Sequence, residues 1–374
     1  MTLDRVSKNI VTLALFLNKR TPGLVSEIWI DKKDQADIEE SLESIDINKV
    51  LDTTEKEIEE VTDDQRKNYL KEIFKSLKFQ IENADFGNVV LNNFYINTYG
   101  IALQRVTEDE LENQNVFIKK LEKECGSHRF EIIDSAGVKR ENMENEFETN
   151  IKLAEEILPK FLTNIPNSKF EIEIIDEAPW GAFNSHVAPY TSKLTVNAST
   201  KPTKFDFYHF AFHEMYGGHH SELSLKDQLL VNEGKGEHGL VIVYSPQVFI
   251  SEAIAETAMD TFGISKRFSK EEKVYFEYLK LVFMAHNAAT FMYFDDKTPK
   301  EKIEEYLGKF DLGSVGIKNI MGFSTDVLYG RYAAIYYPAY KFLTAVLEKT
   351  NDRDTLLKKL YYTPCTPSII FESV

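Results

Sequence analysis

Apolar positions recur at intervals of three and four in Tyr69-Leu70-Ile73-Phe74-Leu77-Phe79-Ile81 and again in Phe117-Ile118-Leu121. That spacing predicts amphipathic helices. Thr53–Glu57 and Thr62–Gln65 carry helix-start signals of the Ser/Thr-x-x-Glu/Gln kind, and a further helix is expected from about Glu144 to Phe161. The period changes after Pro166. Lys169–Ile175 alternates charged and apolar residues, as a half-buried strand does. A turn at Glu177–Gly181 and a second short strand at Ser192–Asn197 follow. After a Pro-containing loop at Thr200–Thr203 the chain reads as helical from Phe205 to about Lys359, interrupted by Gly-rich loops. An irregular tail is expected at Thr363–Pro367. The expectation is a mainly α protein with a small sheet. It has an N-terminal helical region, 1–165, and a second region, 166–374, either as two domains or as one intimately packed unit.

The apolar run Ile10–Leu17 is too short to span a bilayer. It leads into Pro22-Gly23 without a small-x-small cleavage site, so it is expected to be a buried helix. Two cysteines, Cys125 and Cys365, make no disulfide framework and fit a reducing, cytoplasmic setting. The formal net charge is −16, with acidic residues spread along the chain. Nucleic-acid binding needs clustered Lys and Arg, so neither nucleic acid nor membrane is an expected partner. Composition leaves the oligomeric state open.

The chemistry concentrates in His213-Glu214-Met215-Tyr216-Gly217-Gly218-His219-His220 and, downstream, in Ser251-Glu252-Ala253-Ile254-Ala255-Glu256. Imidazole and carboxylate are zinc ligands, and a catalytic zinc keeps three of them plus a water. In His-Glu-x-x-His the two His share a helix face one turn apart. Here Gly217 occupies that fourth position, and a regular helix would carry His219 roughly 240° around and about 9 Å along. The helix must therefore bulge or end after Tyr216, which Gly217-Gly218 permits. On that reading His213 and His219 bind zinc, Glu214 is the general base, and Glu252 is the third ligand. Glu256, one turn on, accepts the outer N–H of a ligand His. Read separately, the same residues are a helix C-cap, two dipole-complementing His and a solvated acidic face.

The two segments resemble a gluzincin-like family catalogued as domain of unknown function 885. Its signature runs His-Glu-x-x-Pro-Gly-His followed by Glu-Gly-Trp-Ala. Gly217 stands where the family has Pro, and Ala253-Ile254 replaces Gly-Trp. The resemblance implies a helical zinc-metallopeptidase architecture with a small sheet beside the active-site helix. It also implies His219 rather than His220 as the second ligand, and Tyr336 as the oxyanion donor, with Tyr332 one turn away. It further implies a short peptide substrate, paired along an edge strand for which Leu194–Asn197 is the candidate. Arg331 could anchor a substrate carboxylate or form a surface ion pair, His209 could stand behind a metal ligand or simply be buried, and His186 could line the cleft. The rival expectations are a non-catalytic metal-binding or degenerate-site protein, and a zinc amidohydrolase acting on a non-peptide amide.

Overall fold

The computed structural model describes residues 3–83, 86–87, 89–178 and 180–372. It is mainly helical, with a two-stranded and a three-stranded sheet. The first helix, Arg5–Arg20, is capped by Asp4, whose side chain accepts the Ser7 N–H. Its apolar run is buried as the pattern predicts, with Ile10, Val11, Leu13, Ala14 and Leu17 fully enclosed. Each such Leu or Ile contributes roughly 1.5–3 kcal/mol by leaving water. The helix stops at Thr21, and Gly23 then takes a left-handed conformation at φ +97°. Asn18 Oδ1 holds that turn by accepting the N–H groups of Gly23 (3.0 Å) and Val25 (3.1 Å).

The turn delivers β1 (Val25–Ile28). The three-stranded sheet holds β2 (Lys169–Ile175), β3 (Ala182–Ala188) and β4 (Thr191–Asn197), and β5 is Leu240–Ile242. β1 pairs antiparallel with β5, with a bulge between Val25 and Glu27. In the other sheet the order is β2-β4-β3, with β4 parallel to β2 and antiparallel to β3. β4 is thus the central strand. Leu194–Asn197 lies between two strands and cannot receive a substrate strand, which corrects the sequence expectation; β2 and β3 are the edge strands.

Three further expectations change. Thr53 and Thr54 lie inside the helix Ile47–Glu60, which Asp46 caps instead. The expected helix from Glu144 to Phe161 breaks at Pro159 into Met143–Ile157 and Lys160–Thr163. The tail is irregular only as far as Thr366, which caps a last helix, Pro367–Phe371. No described helix is long and apolar enough to cross a membrane. The largest core cluster joins Val6–Tyr99 residues to Leu240–Ile254 and Ala334–Ile370, so the regions before and after residue 165 share one interior.

Candidate metal centre

The helix Lys204–Phe210 opens on a capping box, in which Thr203 and Asp206 each accept the other's backbone N–H. It does not continue as an α-helix. Ala211–Met215 widen into a π-helical turn, Tyr216 is extended, and Gly217 turns left-handed at φ +94°. A new helix, His219–Leu229, starts at once. The π turn and the reversal swing the two imidazoles toward one point, with ring centroids 5.0 Å apart and planes at 85°. Gly218 makes this approach possible, because a β-carbon there would sit 1.6 Å from the His213 carbonyl oxygen.

The helix Pro246–Thr261 supplies the acidic group. Ser245 caps it, Pro246 fills its first turn, and it is apolar almost all round, so it runs through the interior. Glu252 Oε1 lies 3.3 Å from His219 Nε2, and Glu252 Oε2 lies 3.6 Å from His213 Nε2. One ligand atom from each of the three residues falls within 4.8 Å of the others. Ligands about 2.0–2.1 Å from a tetrahedral zinc stand about 3.4 Å from one another. The spacing and the donor types therefore fit a metal ion. Glu252 Oε2 is also buried without a hydrogen-bond partner, a position a cation would satisfy.

The outer contacts fix which nitrogen of each ring faces inward. The Ser251 hydroxyl donates to Glu222 Oε2 (2.5 Å), so its oxygen must accept from His219 Nδ1 (2.9 Å). Nε2 is then the nitrogen that faces Glu252, and the one whose lone pair a metal would take in place of a proton. Glu222 is in turn held by the buried Lys226. Glu256 Oε1 stands 3.4 Å from His213 Nδ1, near it but without forming the hydrogen bond the sequence suggested, while the other nitrogen of that ring faces Glu252. The Tyr332 hydroxyl donates to Glu252 Oε1.

Burial sets the protonation of the cluster. It lowers the His213 pKa well below the ordinary value, aided by His209 and His219, which leaves a neutral, ligating imidazole. It raises Glu214 to about 7, against the nearby His219 and with help from Glu252 and Glu27. It raises Glu256 well above the usual range, reinforced by Glu252 and Glu214. For His219 burial works downward, but Glu252, then Glu214 and Glu222, outweigh it and lift the pKa to about 10. Carboxylates crowded around the His213 and His219 imidazoles make a cluster that could hold a cation.

Glu214 projects beside this triad, 4.0 Å from His213 Nε2, and the backbone N–H of Asn184 on β3 lies close enough to favour its charged form. Tyr336 lies at the start of the helix Tyr336–Lys349, stacked on Phe283 and edge-on to Tyr332. Burial, with the charges of Glu252, Glu214 and Glu256, pushes its pKa well above 10, so its hydroxyl keeps its proton.

Other candidates are placed elsewhere. His220 is fully enclosed, with Nδ1 on Ser192 and Nε2 on Ser168, and faces the sheet. His186 is a buried partner of Asp227 (2.5 Å) and does not line a cleft. Arg331 is buried rather than at the surface, away from the position of a substrate anchor. Its guanidinium is buried over Phe294, 4.2 Å from the ring, and donates to the Phe86 carbonyl. His209 approaches His213 and Glu256 from behind, where His209 and Glu256 line a cavity of about 320 Å³. Sequence reasoning missed Glu27, Asn184, Glu222 and Lys226. Only the i,i+4 spacing of the last two carries a signal in the sequence, and that spacing is common on solvated helices.

No family model matches the chain, and no curated protein matches it. Among solved structures, a Colwellia psychrerythraea protein provisionally described as a lipoprotein aligns with a TM-score of 0.61 at 10% identity, over 87% of this chain and 65% of that one. At this identity the likeness is one of fold, and the present chain spans less than two thirds of that protein's length.

Proposed function

We propose that this protein is a zinc-dependent hydrolase of short peptides. The observation that carries the reading is the convergence of His213, His219 and Glu252 at tetrahedral spacing, with Glu214 beside them. Zinc, when bound, supplies Lewis acidity toward the amide carbonyl and lowers the pKa of water. Glu214 takes the proton of the attacking water at its carboxylate and hands it to the leaving amine. The nearby Asn184 N–H favours the charged form of that carboxylate. The Tyr336 hydroxyl, protonated and next to the site, donates to the oxygen on which negative charge develops. Tyr332 and Ser251 hold Glu252 and His219 in their ligating orientations.

Membership in the gluzincin-like family, as a divergent branch, belongs to the same reading. Gly217 shows how far the branch has moved. Its φ of +94° is closed to proline, whose ring fixes φ near −65°, so this chain makes the turn between its histidines by another route than the family's Pro-Gly.

Elemental analysis of protein purified without chelator or His-tag is expected to find one zinc per chain. A chain that carries no metal and takes up none would overturn the proposal. Tyr332→Phe is expected to weaken zinc about 10- to 100-fold in chelator competition, because Glu252 loses the donor that orients it. Unchanged affinity would mean that Glu252 is not held in this way.

A further inference from the structure

β1 bulges between Val25 and Glu27, and the Glu27 carboxylate lies near enough to His219 and Glu214 to act on both electrostatically. Its carboxylate accepts the His186 N–H (2.5 Å), and His219 is the cationic group that acts on it; no Lys or Arg does. Glu27 lies deep in the protein, yet it is only partly buried and keeps accessible surface. A carboxylate so placed has one backbone hydrogen bond and, among the described residues, no Lys or Arg ion pair. Burying an acid in this way is unfavourable unless a cation comes to it.

Its position relative to Glu214 specifies the ligand. In β3, Asn184 and His186 are two residues apart, and their N–H groups reach Glu214 and Glu27 respectively. Two residues of strand span about 7 Å, which is the approximate offset between the two carboxylates. In a peptide the α-nitrogen lies about 2.5 Å from the carbonyl carbon of its own residue, given bonds of about 1.46 and 1.52 Å. A carbonyl next to Glu214 therefore puts a free α-ammonium within hydrogen-bond reach of Glu27. Beyond that point β1 packs beside β3, and Glu27 itself occupies the His186 N–H, so the edge is closed to further residues.

We propose that Glu27 binds the free α-ammonium of the substrate, making the centre one that removes single residues from peptide N-termini. This rests on the hydrolase reading above. An acetylated or longer N-terminus would place a neutral amide against the carboxylate and run the chain into β1.

The test uses the zinc-loaded full chain and two metal-chelating probes, leucine hydroxamate and N-acetyl-leucine hydroxamate, titrated calorimetrically. Their comparison does not depend on turnover. The free amine is expected to bind on the order of 100-fold more tightly. Glu27→Gln keeps an oxygen for the His186 N–H but removes the charge, and is expected to bring the two probes within a few-fold at unchanged zinc content. Glu27→Asp, which retains charge at a shorter reach, should keep part of the preference and serves if the Gln variant fails to fold. Equal binding in the wild type, a preference surviving in Glu27→Gln, or no binding of either probe would overturn the proposal. A preference that Glu27→Gln abolishes, together with no cleavage of leucine p-nitroanilide, would uphold the ammonium site and remove the hydrolase reading alone.

Discussion

Glu214→Gln is expected to lower turnover of a short peptide by about 10³-fold or more while leaving one zinc per chain. Gln has the shape of Glu and keeps an oxygen for the Asn184 N–H, so the centre should stay assembled. What it loses is the ability to accept a proton. Burial pushes Glu214 up to about 7 without a cation, and a bound cation lowers that value. The base works deprotonated, so kcat/KM rises with pH as the proton leaves. The acid limb of the wild-type profile is expected below pH 7. A limb centred above 7, or a Gln variant retaining more than a tenth of the activity, would show that another group accepts the proton. Loss of zinc from the Gln variant would instead make Glu214 part of the binding set.

Gly218→Ala is expected to abolish stoichiometric zinc binding. The new β-carbon would lie 1.6 Å from the His213 carbonyl oxygen, 2.5 Å from its carbon and 2.9 Å from the Phe212 oxygen. All three are backbone atoms, so relief requires moving the π turn that carries His213. Gly217→Ala is the milder control. Its β-carbon would meet its neighbours at 3.4–3.5 Å, ordinary contact, and the penalty is the left-handed backbone, roughly 1–2 kcal/mol. Elemental analysis with circular dichroism separates the two: near-zero zinc for Gly218→Ala, near-full zinc and a lower Tm for Gly217→Ala. Tight zinc at one per chain in Gly218→Ala would refute the described path between the histidines.

What the sequence disclosed follows from where periodicity speaks. Long one-sided helices such as Asp64–Glu82 were legible because one face must be apolar. β2 was legible from strict alternation, and the break after Tyr216 from Gly217-Gly218. β3 was not, because Ala182–Ala188 has polar groups on both faces: Asn184 and His186 are buried, while Val187 is exposed. Nor could a linear pattern say that β4 is central, since strand order is decided by crossover, not composition. Three site groups were visible as motif, His213, His219 and Glu252. Glu27 was not, because a lone acid after a Pro-Gly turn looks like surface until a bulge turns it inward. Arg331 was misjudged for the converse reason, as a charged side chain that lies buried against aromatic rings and donates to a carbonyl.

The Tyr361 hydroxyl, from the helix Arg353–Tyr362, donates to the carbonyl of Gly217 (2.5 Å), on the turn between the two histidines. With Glu27 at one end and Tyr361 at the other, the centre is tied together by residues more than three hundred positions apart. A chain emerging from the ribosome can form the His213–His219 turn long before it has the hydroxyl that pins it. If the centre holds zinc as proposed, metal capture would come late, coupled to closure of the whole fold through the long loops that must first be brought together. Zinc supplied at the start of refolding should then leave the early phases unchanged and be taken up only once the 353–362 helix has docked.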